Sequence, residues 1–461
     1  MLLLTVQIAQ NSQMKKYLYI LPFIFLCVNS YAQQVNTLFF QENVAQAQQL
    51  NPARSIDSKW VVSIPITNIS LSATNEFSLS DIYYEKNGQG YIDQNALSNI
   101  LSPKNNVQLS SLSSEIIGLY HQTDNFGFRV SLNYGLFQKT VYNDNLFKLL
   151  TKGPAAPGVL GETQYVSAIM DVMGYVSLNL GTNFKVNEKL SLGATIKLLS
   201  GKQQLKAKAE ASFVQKDNTS FDTEVDGRFT LSGNGLGKFI DTDNNFSVNE
   251  DDMVESTTSF SNYGAAIDLG AIYQINDQWK VEASVLNLGA IKWSADDQVN
   301  YDSDLGNYNF DGLNIQDVLL GNSIESPYPT FDTLSFKEYE GKSTEMTVLP
   351  WSFNIGTSYN LTKNTTLGAL YSQTNYEELI LPSFTLHAQQ KLGKVFGIGL
   401  SYTADKQSLA HLGGMVSVGF PGFQMYFITD NLITGAFDVE GTKTANMRFG
   451  ANLNFGSSKK Y

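Results

Sequence analysis

The sequence predicts an all-β protein, a transmembrane antiparallel up-and-down β-barrel of about fourteen strands with long extracellular loops. Three observations predict it. From Met346 to Phe455 the chain alternates with period two: Trp351, Phe353, Ile355, Thr357, Tyr359 and Leu361 fall on one face, and Ser352, Asn354, Gly356, Ser358 and Asn360 on the other. The beginning reads as a secretory signal, so the chain is exported. No later run approaches the ~18 apolar residues of a membrane helix, and the sequence holds 1 cysteine, so neither helices nor disulfides hold it. Exported strands of this length and number fit a closed barrel whose apolar face meets lipid.

Taken in order, Lys15 and Lys16 precede the apolar run from Tyr17 to Val28, and Ser30, Tyr31 and Ala32 form a small-x-small cleavage site. Residues 1–32 are therefore the signal peptide, with Met14 as the cleaner start, and the mature chain would have 461 − 32 = 429 residues. Cys27 lies inside the signal after Leu26, which is too large for a lipidation site, so the mature chain has no thiol. Residues 33–59 form an N-terminal periplasmic or plug segment that is polar and Gln-rich and ends in Asn51, Pro52 and Ala53. Pro52 denies Asn51 a helical continuation.

The barrel occupies residues 60–455. Its strands fall near 60–73, with Pro65 marking an irregularity, then 107–121, 126–139, 174–186, 190–198, 263–275 and 279–293. A meander follows at 346–361, 365–377, 380–392, 395–405, 409–420, 422–430 and 444–455. A further β-like run at 221–231 would make an odd count. The tight turns at Thr123-Asp124, Asn187-Glu188, Asn276-Asp277, Thr362 to Asn364, Gly393-Lys394 and Pro421-Gly422 share one side only if that run does not span. It is therefore an outside extension of the fifth strand. Connections 74–106, 141–170, 207–257 and 294–345 then lie outside, and 456–461 is a periplasmic tail. Leu97, Ile100 and Leu101, and Leu313, Val318 and Leu319, have helical spacing; these stretches either fold over the mouth or are ordinary ordered loops.

A formal charge of −12 disfavours nucleic acid as a partner. His121, His387 and His411 sit on different strands with no nucleophile or metal-ligand spacing around them, so an enzyme is not expected. By alternation Arg129, Lys185, Lys197, Asp268, Lys280, Glu282 and Arg448 share the face with Gly, Ser and Asn and should point into the lumen, as stiffening ion pairs or as a substrate path. Asp241, Asp243, Asn245 and Asp252, with Val248 between them, are spaced like a calcium loop, although Phe246 stands where the turn glycine belongs. A solvated acidic loop is the other reading, and no other cofactor is expected.

The signal ending Tyr31-Ala32-Gln33, the Asn51-Pro52-Ala53 motif, Gly264 to Gly270, and Trp279 to Trp293 with Leu286-Asn287-Leu288-Gly289 together resemble an uncharacterised family of Bacteroidetes outer-membrane barrels. That family is distantly similar to FadL-type fatty-acid transporters and to the PorV component of type IX secretion. The resemblance implies a fourteen-stranded, porin-like barrel in the cell outer membrane, placed there by the barrel-assembly machinery. It also implies an N-terminal hatch in the lumen that ends at Asn51, Pro52 and Ala53. Passive transport or uptake of small, amphipathic molecules is the expected function. The alternative is a non-transporting barrel that anchors or hands over secreted or surface proteins.

Overall fold

The computed structural model describes residues 36–86, 89–92, 96, 99–103, 105–145, 160–215, 223–234, 262–296, 298–310, 337–338, 342–393, 395–406, 411–432 and 443–457. Fourteen strands form its wall. Strand β1 comes in two pieces, Ser58–Ser63 and Asn68–Thr74; β2 is Asn106–Gln122, β3 Phe126–Tyr142, β4 Gln164–Lys185, β5 Leu190–Gln215, β6 Asn262–Gln274 and β7 Trp279–Trp293. Strand β8 is also divided, into Glu345–Val348 and Trp351–Asn360. It is followed by β9 Thr365–Tyr376, β10 Leu379–Leu392, β11 Phe396–Asp405, β12 His411–Phe420, β13 Phe423–Thr429 and β14 Thr444–Ser457.

Every strand pairs antiparallel with its chain neighbours, and β1 closes the ring. Trp60 stands opposite Phe455 and Ile69 opposite Phe449 on β14, while Val61 faces Tyr120 and Leu71 faces Leu112 on β2. Among the described residues no strand of the wall has an unpaired edge. The count agrees with the turn-parity expectation. The six tight turns expected on one side gather at one end, here the turn end; the long connections lie at the other, the loop end, together with the two-residue turn of the β9–β10 hairpin.

Alternation explains the two faces. Leu178, Leu180 and Phe184, then Phe396, Ile398, Leu400 and Tyr402, then Met447, Phe449, Leu453 and Phe455 are exposed outward as an apolar belt around the wall. No described helix is long and apolar enough to cross a membrane. Pro65 and Pro350, which cannot donate to a ladder, sit in the interruptions of β1 and β8. Beside the first, β2 carries a bulge between Glu115 and Ile117.

Strands β4 and β5 depart from expectation in length, starting at Gln164 and ending at Gln215. Their distal halves pair with each other beyond the wall, and residues 204–215 pair with Thr223–Asn234, which in turn pairs with Gln298–Phe310. The run expected at 221–231 thus lies outside the wall. Part of each connection expected at 141–170, 207–257 and 294–345 is strand: Leu205, Ala207, Ala209, Ala211 and Phe213 carry period two beyond the wall, and Ala207, Leu231 and Tyr301 pack there with Met170, Leu205, Phe229 and Val299. Leu101 packs with Phe77 and Tyr142 beside the mouth. Leu97, Leu313, Val318 and Leu319 fall outside the described residues.

The interior has tiers. In the turn-end half, 3-10 turns at Asn36–Phe40 and Ala45–Gln49 place Leu38, Phe39, Phe40, Val44, Ala47 and Leu50 against Leu286, Leu370, Met415, Tyr426 and Ile428 of the wall. Burying each large side chain is worth about 1.5–3 kcal/mol, so this plug has a core of its own. At the loop end, inward side chains of successive strands from β2 to β10 meet in a second apolar cluster: Leu109, Phe137, Met173, Leu199, Ile291, Trp293, Leu349, Tyr376 and Leu381.

Candidate functional site

The plug leaves the lumen through Asn51, Pro52 and Ala53. The side-chain oxygen of Asn51 accepts the Ala53 N–H at 3.0 Å, folding the chain into a tight turn. That turn lies against Gly193 of β5 and Gly270 of β6. A Cβ at Gly193 would lie 2.3 Å from the Pro52 carbonyl carbon, and one at Gly270 2.0 Å from the Asn51 oxygen. The sequence motif marks the place where plug backbone touches wall backbone.

Next to it lies an ion-pair network. Glu282, fully buried on β7, accepts from Arg54 Nε at 2.9 Å and from the Asn51 amide at 3.2 Å, and forms ion pairs with Arg54 Nη2 at 2.7 Å and with Lys280 at 2.8 Å. Lys280 also pairs with Glu42 of the plug, and Arg54 lies 4.6 Å over the Phe39 ring. Burial would raise the Glu42 carboxyl, but the Lys280 ammonium, its hydrogen bond and the more distant Arg54 hold it below the usual carboxylate value. Two cations and two carboxylates thus lock plug to wall. Across the lumen, Glu115 accepts from Gln46 at 2.9 Å, Gln49 at 2.8 Å and Tyr120 at 2.5 Å.

Above the plug lies a cavity of about 220 Å³, at or below the small end of ligand pockets. Its floor includes Leu38, Gln49 and Leu50 of the plug, and Phe137 reaches it from the loop-end cluster. Its sides carry Arg129, Asn133, Tyr175, Asn179, Lys197, Asp268, Asn287 and Arg448. Lys197 pairs with Asp268 at 2.8 Å and donates to the Asn287 side chain at 2.5 Å, while Asp268 accepts the Asn287 N–H at 2.7 Å. These bonds hold Asn287 in a left-handed conformation (φ 59°) at the level where β8 is interrupted.

The two arginines differ from the other inward cations. Arg448 donates to Gln49 at 2.7 Å and Arg129 to Thr195 at 2.8 Å, yet neither has a carboxylate in ion-pair range among the described residues. Arg129 is 3% exposed, and its Nε and Nη1 have no protein hydrogen-bond partner; nor does Nε of Arg448.

Of the seven charges expected inside, Arg129, Asp268, Glu282 and Arg448 are buried and Lys197 and Lys280 are ion-paired, whereas Lys185 is exposed. It is the last residue of β4 and lies exposed at the turn end, because alternation gives the face of a strand residue and not its height. His387 is stacked on Phe40 with ring centroids 4.6 Å apart, His121 packs on Trp60 at 4.1 Å, and His411 lies 3.0 Å from Asp405. No group of three or more His, Cys, Asp or Glu among the described residues is placed to hold a metal ion. Asp241, Asp243, Asn245 and Asp252 lie outside the described residues.

Sequence reasoning did not single out Leu38, Phe39 and Phe40, Glu42, Arg54 or Glu115. An apolar triplet without alternation directly after the signal, followed by isolated charges in a Gln-rich stretch, was the available sign of a segment packed inside rather than hanging in solvent.

A model of a family of unknown function, DUF5723, matches residues 52–430. No curated protein matches the chain. Among solved structures it is similar to a Pseudomonas aeruginosa FadL homologue, with 11% identity, TM-score 0.45, and coverage of 93% of this chain and 99% of that one. It is also similar to the Ralstonia pickettii toluene transporter TbuX (8% identity, TM-score 0.40, coverage 93% and 95%) and the Pseudomonas putida toluene transporter TodX (12% identity, TM-score 0.33, coverage 92% and 93%).

Proposed function

The chain belongs to the DUF5723 family, and from the contents of its lumen we propose that it is an outer-membrane barrel for passive uptake of a small amphipathic molecule. One observation carries the reading. A buried guanidinium, Arg129, has no carboxylate in ion-pair range among the described residues and lines a cavity that Leu38, Leu50 and Phe137 also line. A buried charge left unpaired is costly, so the site favours an occupant with a polar, electron-rich head and an apolar body. Arg448 and the Lys197–Asp268 pair offer further polar contacts, and the uncharged serines and asparagines leave room for neutral heads.

Calorimetry on the purified barrel tests this with alkyl probes of one chain length that end in a carboxylate, a hydroxyl or a quaternary ammonium. The anionic probe should bind tightest and lose at least about ten-fold in Arg129→Gln, the size expected for a charge-assisted hydrogen bond. Equal affinity for all three probes, or no heat from any, would sink the proposal. Liposome uptake of the probe that binds then tests passage. Outer-membrane fractionation with faster mobility before boiling than after tests location.

A second reading is favoured by the sheet of residues 204–215, Thr223–Asn234 and Gln298–Phe310 that stands beyond the wall. It would let the barrel anchor or hand over secreted or surface proteins. Removing Thr223–Asn234 should then abolish partner capture and leave probe binding intact.

A further inference from the structure

The loop-end cluster contains one contact that crosses the barrel. Phe137 belongs to β3 and Tyr376 to β9, with five strands between them on one side and seven on the other. Their ring centroids nevertheless lie 4.6 Å apart at an interplanar angle of 63°, and both rings are buried. Lys139, two residues along β3, sits 5.3 Å from the Tyr376 ring centroid. It also pairs with Asp171 of β4 at 3.2 Å and with Glu377, the residue after Tyr376. Thus the tip of the β9–β10 hairpin reaches over the lumen and is met by β3 and β4.

We infer that this contact is a latch: the hairpin tip carrying Tyr376 and Glu377 closes the mid-lumen cavity against the outside and opens it by swinging off Phe137 and Lys139. Three observations support a movable latch over a fixed piece of core. Phe137 belongs both to the cross-barrel pair and to the cavity lining, so parting the rings opens the space below directly. The ion pair at the outer edge involves a half-exposed Glu377, and exposed pairs resist separation weakly. Glu377 turns the hairpin with φ 51°, as a two-residue hairpin turn requires, so the tip is short and stiff and carries Tyr376 and Glu377 as one piece. The inference goes beyond the uptake reading, since a latch would guard the cavity whatever enters it.

The test needs no ligand. Ser113 lines the cavity, and the single cysteine of the sequence, Cys27, lies in the expected signal, so Ser113→Cys supplies a lone thiol in the mature chain. Its modification rate by a water-soluble methanethiosulfonate is measured in purified protein, with heat-modifiable mobility confirming each variant's fold. Adding Phe137→Ala or Tyr376→Ala should speed modification about ten-fold, the factor by which losing an aromatic pair shifts an opening equilibrium. Combining them should add little, because both remove the same contact. Tyr376→Phe, which keeps the ring, should leave the rate unchanged, and Lys139→Gln should raise it by a smaller factor. Should either alanine variant fail to fold, Lys139→Gln and Glu377→Gln carry the same reading at the outer edge. Rates equal to that of the parent thiol in all folded variants overturn the latch and leave the probe-binding result untouched.

Discussion

At the turn end the lumen is closed by a separate stretch of chain, whereas at the loop end it is closed by side chains of the wall itself. Both closures bury apolar side chains, but the plug is held in addition by backbone pressed against Gly193 and Gly270 and by the four-charge network around Glu282. The loop-end cluster is held by apolar and aromatic side chains, with ion pairs only along its wetter margin. The difference is one of directionality. Charges and close backbone contacts fix a single arrangement and fail when one partner is lost, while apolar side chains can part and meet again without leaving an orphaned charge.

The severest way to break the comparison is Glu282→Ala, which leaves Arg54 and Lys280 buried around a missing carboxylate. Breaking such a pair costs about 3–5 kcal/mol. Hydrogen exchange should show Asn36–Phe40 losing protection while the strand amides keep theirs. If the whole wall loosened with it, plug and barrel would be one unit and the contrast would fail.

A smaller effect is expected from Gly193→Leu, where the side chain would have to enter space held by Pro52. Overpacking costs about 1–3 kcal/mol, and displacement of the plug should relieve it. The expected result is a barrel of normal heat-modifiable mobility whose segment before Ser58 is cut by protease. Retained protection would show that the wall yields before the plug does.

Acidification should act on the turn end in the same direction but more gently. The Glu42 carboxyl is held below its usual value in the folded state, so its contribution is present above the ordinary carboxylate pKa and fades as pH falls through the folded one. Exchange at Asn36–Phe40 should therefore rise below about pH 4. The Glu42→Gln variant should lack that component.

Least affected should be Lys206→Ala at the loop end. It removes a pair with Glu345 at 2.5 Å that is partly exposed on both sides. About 0.2–1 kcal/mol is expected, within the spread of surface pairs, and thermal unfolding should barely move. A shift comparable to that of Glu282→Ala would mean the loop end is also governed by charge.

What the sequence made legible follows from what period two encodes. Alternation sorts Arg129, Lys197, Asp268, Lys280, Glu282 and Arg448 from the lipid-facing Met447, Phe449, Leu453 and Phe455, and turn lengths count the wall strands. Height along the axis is not in the pattern, which is why Lys185 was grouped with charges that lie deeper. Nor is contact across the lumen: Phe137 and Tyr376 carry no mutual signal, because their meeting depends on curvature and shear of the closed sheet. The plug's charges belong to the same class, since Arg54 and Glu282 are brought together only by closure.

The seam between β1 and β14 also sets an order of events. Asn36 donates its N–H to Asp430 at 2.7 Å across a separation of 394 residues, and β1 pairs with β14 from the far end of the wall. Loop-closure entropy makes contacts of such range late ones. On that ground the β1–β14 seam and the plug contacts are expected to form after the hairpins of the wall. Inside the seam, Gln46 donates both to Glu115 of β2 and to Asn452 of β14, so a seated plug ties together the strands on either side of β1 and favours the closed ring over an open sheet.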